Sequence, residues 1–430
     1  MYSNLGLKYW NVTDEIPWTS PMLDRWLKNE VHGSPLKDVT ILLIQHQLGN
    51  HLPQAVALLE LGVKPEKLFW IDIPYTSTPE VRAKLLTVGI PEKNLMAGDF
   101  KLLDDYGAYQ RLRIINFLHS FENNKFNKLV VLDDGSYMLE ACSVIKNWPK
   151  NLAIVEQTTR GIIKLEENLS MAACADQIPV INVARSWPKI HLEPPFIGLS
   201  VCEGLQRKLE KIGQILPDDQ CLVLGYGAIG AQVANFLRDI HGFSGSHIHI
   251  YDPLEDRLKA AIQEGFSIWE RGNFKYRFRL VIGCSGRASL RLGDYILLED
   301  GAYLVSATSG SVELSRKDFI EQADSSPFDD IWIDRSEMDL ANVHSDIHFH
   351  FIDREATFIN GGFPVNFDGR INNIPLHYIQ PTAVMMCAAA VQASRSYQPG
   401  LQDLDAGFCN WITKEFLDEL GEESIIIKMT

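Results

Sequence analysis

The chain has 430 residues, with 40 Lys+Arg against 55 Asp+Glu and a formal net charge of −15. Its 46% hydrophobic and 10% aromatic content excludes a disordered chain and, at roughly 100–200 residues per domain, implies two or three domains. The acidity argues against a nucleic-acid binder, and no run approaches the roughly 18 uninterrupted apolar residues of a membrane span.

In chain order, the apolar runs Val39–Ile44, Leu68–Ile73, Leu129–Leu132, Leu152–Val155 and Val180–Val183 are predicted to be buried parallel strands. Helical spacing over Pro53–Gly62 and Tyr137–Lys146 between them makes a βαβ series. A helix over Leu205–Ile215 and a turn at Leu216-Pro217-Asp218-Asp219 introduce a second series. Its strands are predicted at Cys221–Leu224, Ile248–Tyr251, Leu280–Ile282, Tyr303–Val305 and Ile331–Ile333. A Met/Ala-rich helix, Pro381–Ala393, and an amphipathic helix, Phe408–Leu420, close the chain. The predicted fold class is α/β, with two doubly wound parallel-sheet lobes. Residues 1–195 form a substrate lobe, 196–370 a Rossmann domain inserted in it, 371–405 a return to the first lobe and 406–430 a helical tail.

Gly225-Tyr226-Gly227-Ala228-Ile229-Gly230 follows a predicted strand and opens a predicted helix over Ala231–Ile240. That is the context a dinucleotide loop requires: a tight turn at the first glycine, backbone access for a pyrophosphate at the second, and close helix–strand packing at the third. The helix N-terminus offers free N–H groups to the phosphates. Asp252, after the next strand, is placed to accept from the adenosine ribose hydroxyls. No arginine follows it immediately, which favours NAD over NADP. Gly283-Cys284-Ser285-Gly286 ends the third strand, where such a loop faces the cofactor or simply turns.

Several short motifs, in order, resemble the S-adenosylhomocysteine hydrolase (adenosylhomocysteinase) family from about residue 9 to about 395. They are Leu132-Asp133-Asp134-Gly135, Glu156-Gln157-Thr158-Thr159-Arg160-Gly161, Pro179-Val180-Ile181-Asn182-Val183, the glycine loop and Val365-Asn366. The resemblance implies a tightly held NAD that oxidises the substrate's ribose 3′-hydroxyl, so that the C4′ proton becomes acidic and the 5′ thiol can leave; water then adds and the hydride returns. By the same resemblance Lys189 helps deprotonate the hydroxyl, and Asp134 and His46 are active-site groups. Thr158, Thr159 and Asn366 contact the cofactor, as do Gly225, Gly227, Ala228, Ile229, Gly230, Asp252 and Ser285. The family is usually a tetramer with crossing C-terminal tails, which implies a homodimer or homotetramer here.

The departures are specific. Gln157 stands where the family grips ribose with a glutamate, and Arg160 replaces a threonine. Glu193 or Leu192 stands for the aspartate after the lysine. Thr308-Ser309-Gly310-Ser311 lacks a second histidine, and Ile379-Gln380-Pro381 replaces Gly-His-Pro at the substrate-side hinge, leaving Gln157 and Gln380 as substrate-binding candidates. Glu422–Thr430 lacks the tail that reaches a neighbour's NAD.

Three readings follow: an NAD-dependent redox step on a sugar hydroxyl of a nucleoside-like substrate, a non-catalytic NAD-binding regulatory homologue, or a dehydrogenase of the hydroxy-acid type. His344, His348 and His350 read as strand residues, and no metal site is expected. The seven scattered cysteines and the start Met1-Tyr2-Ser3-Asn4, which has no signal-peptide pattern, imply buried thiols and a cytoplasmic location.

Overall fold

The computed structural model describes residues 7–8, 10–120, 127–212, 218–325, 331–336, 338–424 and 427. The predicted helix end at Ile215, the Leu216-Pro217 half of the turn and most of the tail beyond Ser424 lie outside them. Two compact units are present. The first comprises Met1–Asp99, Gly107–Glu193 and Gly369–Thr430, and the second Phe100–Tyr106 and Pro194–Asp368.

Strands in the first part of the chain are β1 (Thr40–Gln45), β2 (Leu68–Asp72), β3 (Leu95–Met96), β4 (Leu129–Asp133), β5 (Leu152–Glu156) and β6 (Pro179–Asn182). Then come β7 (Cys221–Leu224), β8 (Ile248–Tyr251), β9 (Ser267–Ile268), β10 (Phe278–Gly283), β11 (Leu298–Ser306), β12 (Ile331–Ile333), β13 (Ile347–Phe351) and β14 (Glu355–Phe358), and last β15 (Gly400–Asp403). Every residue of β1, β2, β4, β5 and β6 is buried, as continuous Val/Ile/Leu runs in a sheet covered on both faces require.

The first unit carries a seven-stranded sheet in the order β15-β6-β5-β4-β1-β2-β3, with parallel neighbours throughout. The chain runs outward from β1 to β3, then returns to β4 on the other side of β1. This reversal makes β1/β4 a switch point, where crevices open beyond the strand C-termini. The helix Leu376–Arg395 buries Ala383, Val384, Met385, Met386, Ala389, Ala390 and Ala393. Pro381 lies inside it and has no N–H for the His377 carbonyl. The Gln380 side chain donates to that oxygen instead, at 3.2 Å.

The second unit carries eight strands in the order β12-β13-β14-β11-β10-β7-β8-β9. Here β7/β10 is the switch point. The apolar runs alone predict an all-parallel lobe, but the sheet is mixed, because β12–β13 and β13–β14 pair antiparallel. A strand through His348 and His350 is expected from the sequence, but its antiparallel pairing depends on the chain turning back between Phe351 and Glu355, which apolar runs do not register. A cluster of Leu222, Val281, Leu304, Phe319, Phe349 and Phe358 forms the core beside the sheet. No helix among the described residues is long and apolar enough to cross a membrane.

Candidate functional site

In the first unit the β1/β4 switch point gathers His46, Asp134 and Gln157, each the residue just past its strand. Asp134 N donates to Ile44 O at 3.0 Å, which hangs the β4 turn on β1. The turn itself is anchored from β5. Glu156 Oε1 accepts from Gly135 N (3.2 Å) and from Thr158 N (2.8 Å) and Oγ1 (2.7 Å), while Oε2 accepts from Ser136 N (2.7 Å) and Oγ (3.0 Å). Gly135 (φ +120°) and Ser136 (φ 54°) make the left-handed turn, and a Cβ on Gly135 would lie 2.8 Å from the Tyr137 ring. Ser136 carries the cost that a non-glycine residue meets there, offset by its two bonds to Glu156. Burial pushes the Glu156 carboxyl up to about 7 against the pull of its Thr158 and Ser136 donors.

The two neighbouring aspartates divide their work. Asp133 accepts from Tyr137 N (3.2 Å) and Met138 N (2.7 Å), capping the helix Tyr137–Val144. Asp134 faces the site. His46 Nε2 is 3.3 Å from Asp134 Oδ2, and His46 Nδ1 is 3.1 Å from Thr76 Oγ1. Burial, with the Lys189 ammonium nearby, pushes His46 down to about 3, so the ring is neutral near pH 7. A neutral ring donates to Asp134 through Nε2–H, and the Thr76 hydroxyl, which lies 3.0 Å from Ile73 O, has one proton to give either to that carbonyl or to Nδ1.

Gln157 extends this network. Its Nε2 donates to Asp134 Oδ2 at 3.4 Å, its Oε1 accepts from Gln45 Nε2, and Gln45 Oε1 accepts from Gln54 Nε2 at 2.7 Å. An amide beside Asp134 adds a donor where a carboxylate would add a like charge.

Lys189, on the short helix Trp187–His191, donates to both oxygens of Glu193 at 2.7 and 2.6 Å, and Thr382 Oγ1 donates to Glu193 Oε2. Leu192, the other candidate for that partner, is buried and has no polar side-chain atom to offer the lysine. Thr158 spends its hydroxyl on Glu156 and on Gly161 N (3.0 Å), and Thr159 is exposed at the start of the helix Thr159–Glu167. Gln380 is buried, with Oε1 accepting from Met22 N at 3.0 Å and Nε2 donating to His377 O and to Glu419 Oε1 at 2.5 Å. Its amide is occupied within the fold. Arg160 donates to Tyr137 OH at 3.1 Å.

In the second unit the glycine loop links β7 to the helix Ala228–Asp239. Gly225 has φ +103°, and a Cβ there would lie 2.9 Å from the Cys284–Ser285 backbone. A Cβ on Gly230 would lie 1.9 Å from Gly225 O. These two glycines serve close packing. Gly227 differs: the nearest atoms to its Cβ position are Arg257 guanidinium atoms at 3.5–3.8 Å, so backbone is open to an approaching group. The first-turn N–H groups of that helix begin at Ala228 and Ile229, where an α-helix has no intrahelical acceptor for them. Asn366 is tied in through Val365 N, which donates to Ser306 O at 3.0 Å. Its buried Oδ1 has no hydrogen-bond partner among the described residues. An open glycine and an unsatisfied amide oxygen fit a nicotinamide dinucleotide.

Three groups near these positions escape sequence reading. Glu313 is buried and its carboxyl is pushed up by that burial. It accepts from Ser285 Oγ (2.9 Å), Ser289 Oγ (2.7 Å), Thr308 Oγ1 (2.7 Å) and Gly286 N, and so holds the β10 loop. Ser285 is therefore bound to Glu313. His51 stacks on His46 with centroids 6.3 Å apart, and its Nδ1 is buried without a partner among the described residues. Arg257 bonds Asp252 at 3.1 Å. The expectation of NAD rests on the lack of an arginine directly after Asp252, but the helix Glu255–Gln263 turns one back onto it. Cys284 has its thiol pushed well up by burial and by Glu313, which leaves it inert. His344, His348 and His350 bond Asn360, Thr357 and Glu355 at 3.1, 3.0 and 2.9 Å.

No protein-family profile matches the chain. Uncharacterised proteins from two strains of Mycobacterium tuberculosis are 25% identical over 361 residues, covering 82% of this chain and 63% of their own length. An S-inosyl-L-homocysteine hydrolase of Methanococcus maripaludis is 26% identical over 204 residues, 45% of this chain and 46% of that protein. The chain thus spans less than two thirds of the length of the curated relatives it matches. Its resemblance to hydrolases of this type is distant and partial.

Proposed function

We propose that this protein is an adenosylhomocysteinase-like enzyme that uses a bound nicotinamide dinucleotide to oxidise a sugar hydroxyl of a nucleoside-like thioether. The observation that carries the reading is the neutral His46 set against Asp134 at a switch point, in a chain that also bears an open dinucleotide loop. The partial similarity to an S-inosyl-L-homocysteine hydrolase supports the substrate class. Gln157, standing where the family grips ribose with a glutamate, points to an altered contact with the sugar.

When bound, the dinucleotide supplies the hydride acceptor. It would be held by the Gly225–Gly230 loop and by Asn366. Lys189 takes the proton of the sugar hydroxyl on its Nζ as it passes one of its own to the Glu193 carboxylate that it already contacts. His46, its Nε2 oriented by Asp134, accepts the proton from carbon at Nδ1 once substrate displaces Thr76 from that nitrogen. Gln157 donates to Asp134 and presents a neutral amide to the sugar. A homodimer or homotetramer belongs to the same reading and is checked by light scattering.

A second reading, dinucleotide binding without turnover, is favoured by Gln157 and by Ser309 in place of the family's second histidine. One experiment separates the two. Mass spectrometry identifies the dinucleotide that co-purifies, and the absorbance of reduced nicotinamide is followed on adding S-inosyl-L-homocysteine or S-adenosyl-L-homocysteine. Reduction by either supports the enzyme. Bound dinucleotide with no reduction supports the second reading, and no dinucleotide refutes both.

A further inference from the structure

The acid that closes β8 is not open to a ribose. Asp252 has a side chain only 1% exposed. Its Oδ1 accepts from Leu254 N at 2.9 Å, and its Oδ2 from Tyr226 N at 2.8 Å and Arg257 Nη1 at 3.1 Å. The two backbone bonds lock the carboxylate between the glycine loop and the turn after β8. The third partner is a side chain that can move. Arg257 lies in the first turn of the helix Glu255–Gln263 and is 47% exposed. It is also the group nearest the open face of Gly227. The acids beside it, Glu255 and Asp256, are turned to Lys259 at 3.0 and 3.5 Å.

We propose that Arg257 presents its guanidinium to the 2′ position of the adenosine ribose, so that this unit takes the 2′-phosphorylated dinucleotide, NADP, at least as tightly as NAD. The inference rests on the reading that the second unit holds a nicotinamide dinucleotide. A bare carboxylate after the second strand repels a 2′-phosphate and selects for a ribose diol. Here the carboxylate is covered, and what faces outward is a planar cation with a fork of donors suited to phosphate oxygens. To use Asp252 as an acceptor, an unphosphorylated ribose must first displace Arg257 and break a charge-assisted bond. A 2′-phosphate needs only the half-exposed side chain to turn.

The full-length protein is incubated with equimolar NAD and NADP and freed of unbound nucleotide. The retained dinucleotides are then released and quantified by mass spectrometry. The wild type should retain NADP at or above the level of NAD. Arg257→Ala should shift the ratio about 10–100-fold toward NAD, the worth of a charged hydrogen-bonded pair, and Arg257→Lys should fall between. NAD in excess on the wild type, or a ratio unmoved by Arg257→Ala, overturns the inference while leaving the dinucleotide reading intact. Retention of neither by folded protein overturns the dinucleotide reading, and this inference with it.

Discussion

His46 Nε2 and Asp134 Oδ2 lie 3.3 Å apart at the ends of two strands that pair side by side in a parallel sheet. Both side chains are buried, and the ring's other nitrogen is held by Thr76. In an imidazole kept neutral by burial with Nε2 turned to a carboxylate, Nδ1 is the one nitrogen that can accept a proton. Asp134→Asn and His46→Gln should each lower redox turnover about 10²–10⁴-fold while leaving bound dinucleotide at wild-type level. Steady-state kcat beside nucleotide content checks this; full turnover in either variant removes the pair from the mechanism.

Gln157→Glu should make stability depend on pH in a way the wild type does not. The new carboxyl would be buried within reach of Asp134, since Gln157 Nε2 is 3.4 Å from Asp134 Oδ2. Burial and the like charge raise its pKa above the unfolded value of about 4.3. The variant therefore matches the wild type in acid and loses stability as pH rises from the unfolded value to the raised one, by about 1.4 kcal/mol for each pH unit between the two. Tm measured near pH 5 and near pH 8 reads the difference, and equal losses at both would show that Asp134 does not feel residue 157.

Lys189 and Glu193 act as one unit, bonded through both carboxylate oxygens. Lys189→Ala should abolish redox turnover with dinucleotide still bound. Glu193→Gln, which keeps Thr382's acceptor but removes the counter-charge, should change the pH profile of kcat more than KM. Wild-type turnover in Lys189→Ala would exclude the lysine from the chemistry.

The loop glycines should separate binding from stability. Gly227→Val meets only the movable Arg257 side chain nearby, so it should prevent dinucleotide binding with little change in Tm. Gly230→Ala places a Cβ against Gly225 O and should cost about 1–3 kcal/mol of stability. Thermal denaturation with nucleotide analysis reads both; unchanged affinity in Gly227→Val would remove the loop from the site.

Acid should unfold the first unit partly through His46. Its folded pKa, about 3, lies below the ordinary value of 6.5. Below about 6.5 the unfolded chain takes up a proton that the folded ring refuses, so stability falls by up to about 1.4 kcal/mol per pH unit until about pH 3. Glu156, raised to about 7, binds its proton in the folded state and opposes that slope between 4.5 and 7. His46→Gln should therefore lose less stability than wild type on acidification from about pH 7 to pH 5. An identical loss in both proteins would show that the ring is already protonated in the folded state.

The apolar runs at β1, β2, β4, β5 and β6 were legible because a strand covered on both faces must be apolar at every position. The glycine loop was legible because its spacing answers a steric demand made within a few residues. Asp134 could be named from a short motif, and His46 from its place after the first strand in the family resemblance. Their contact could not, because it depends on which strands pair.

Chain-local patterns thus determined the α/β class, most of the strands and the glycine loop. Tertiary structure alone decided that Asp133 caps a helix while Asp134 faces His46, and that Glu193 rather than Leu192 holds Lys189. It also decided that Gln380 compensates Pro381, that Glu313 anchors the β10 loop and that Arg257 covers Asp252. The physical reason is common to all of these. Burial periodicity and backbone sterics are properties of neighbours in sequence, whereas the partner of a polar side chain is set by whatever group the folded backbone brings within about 3 Å.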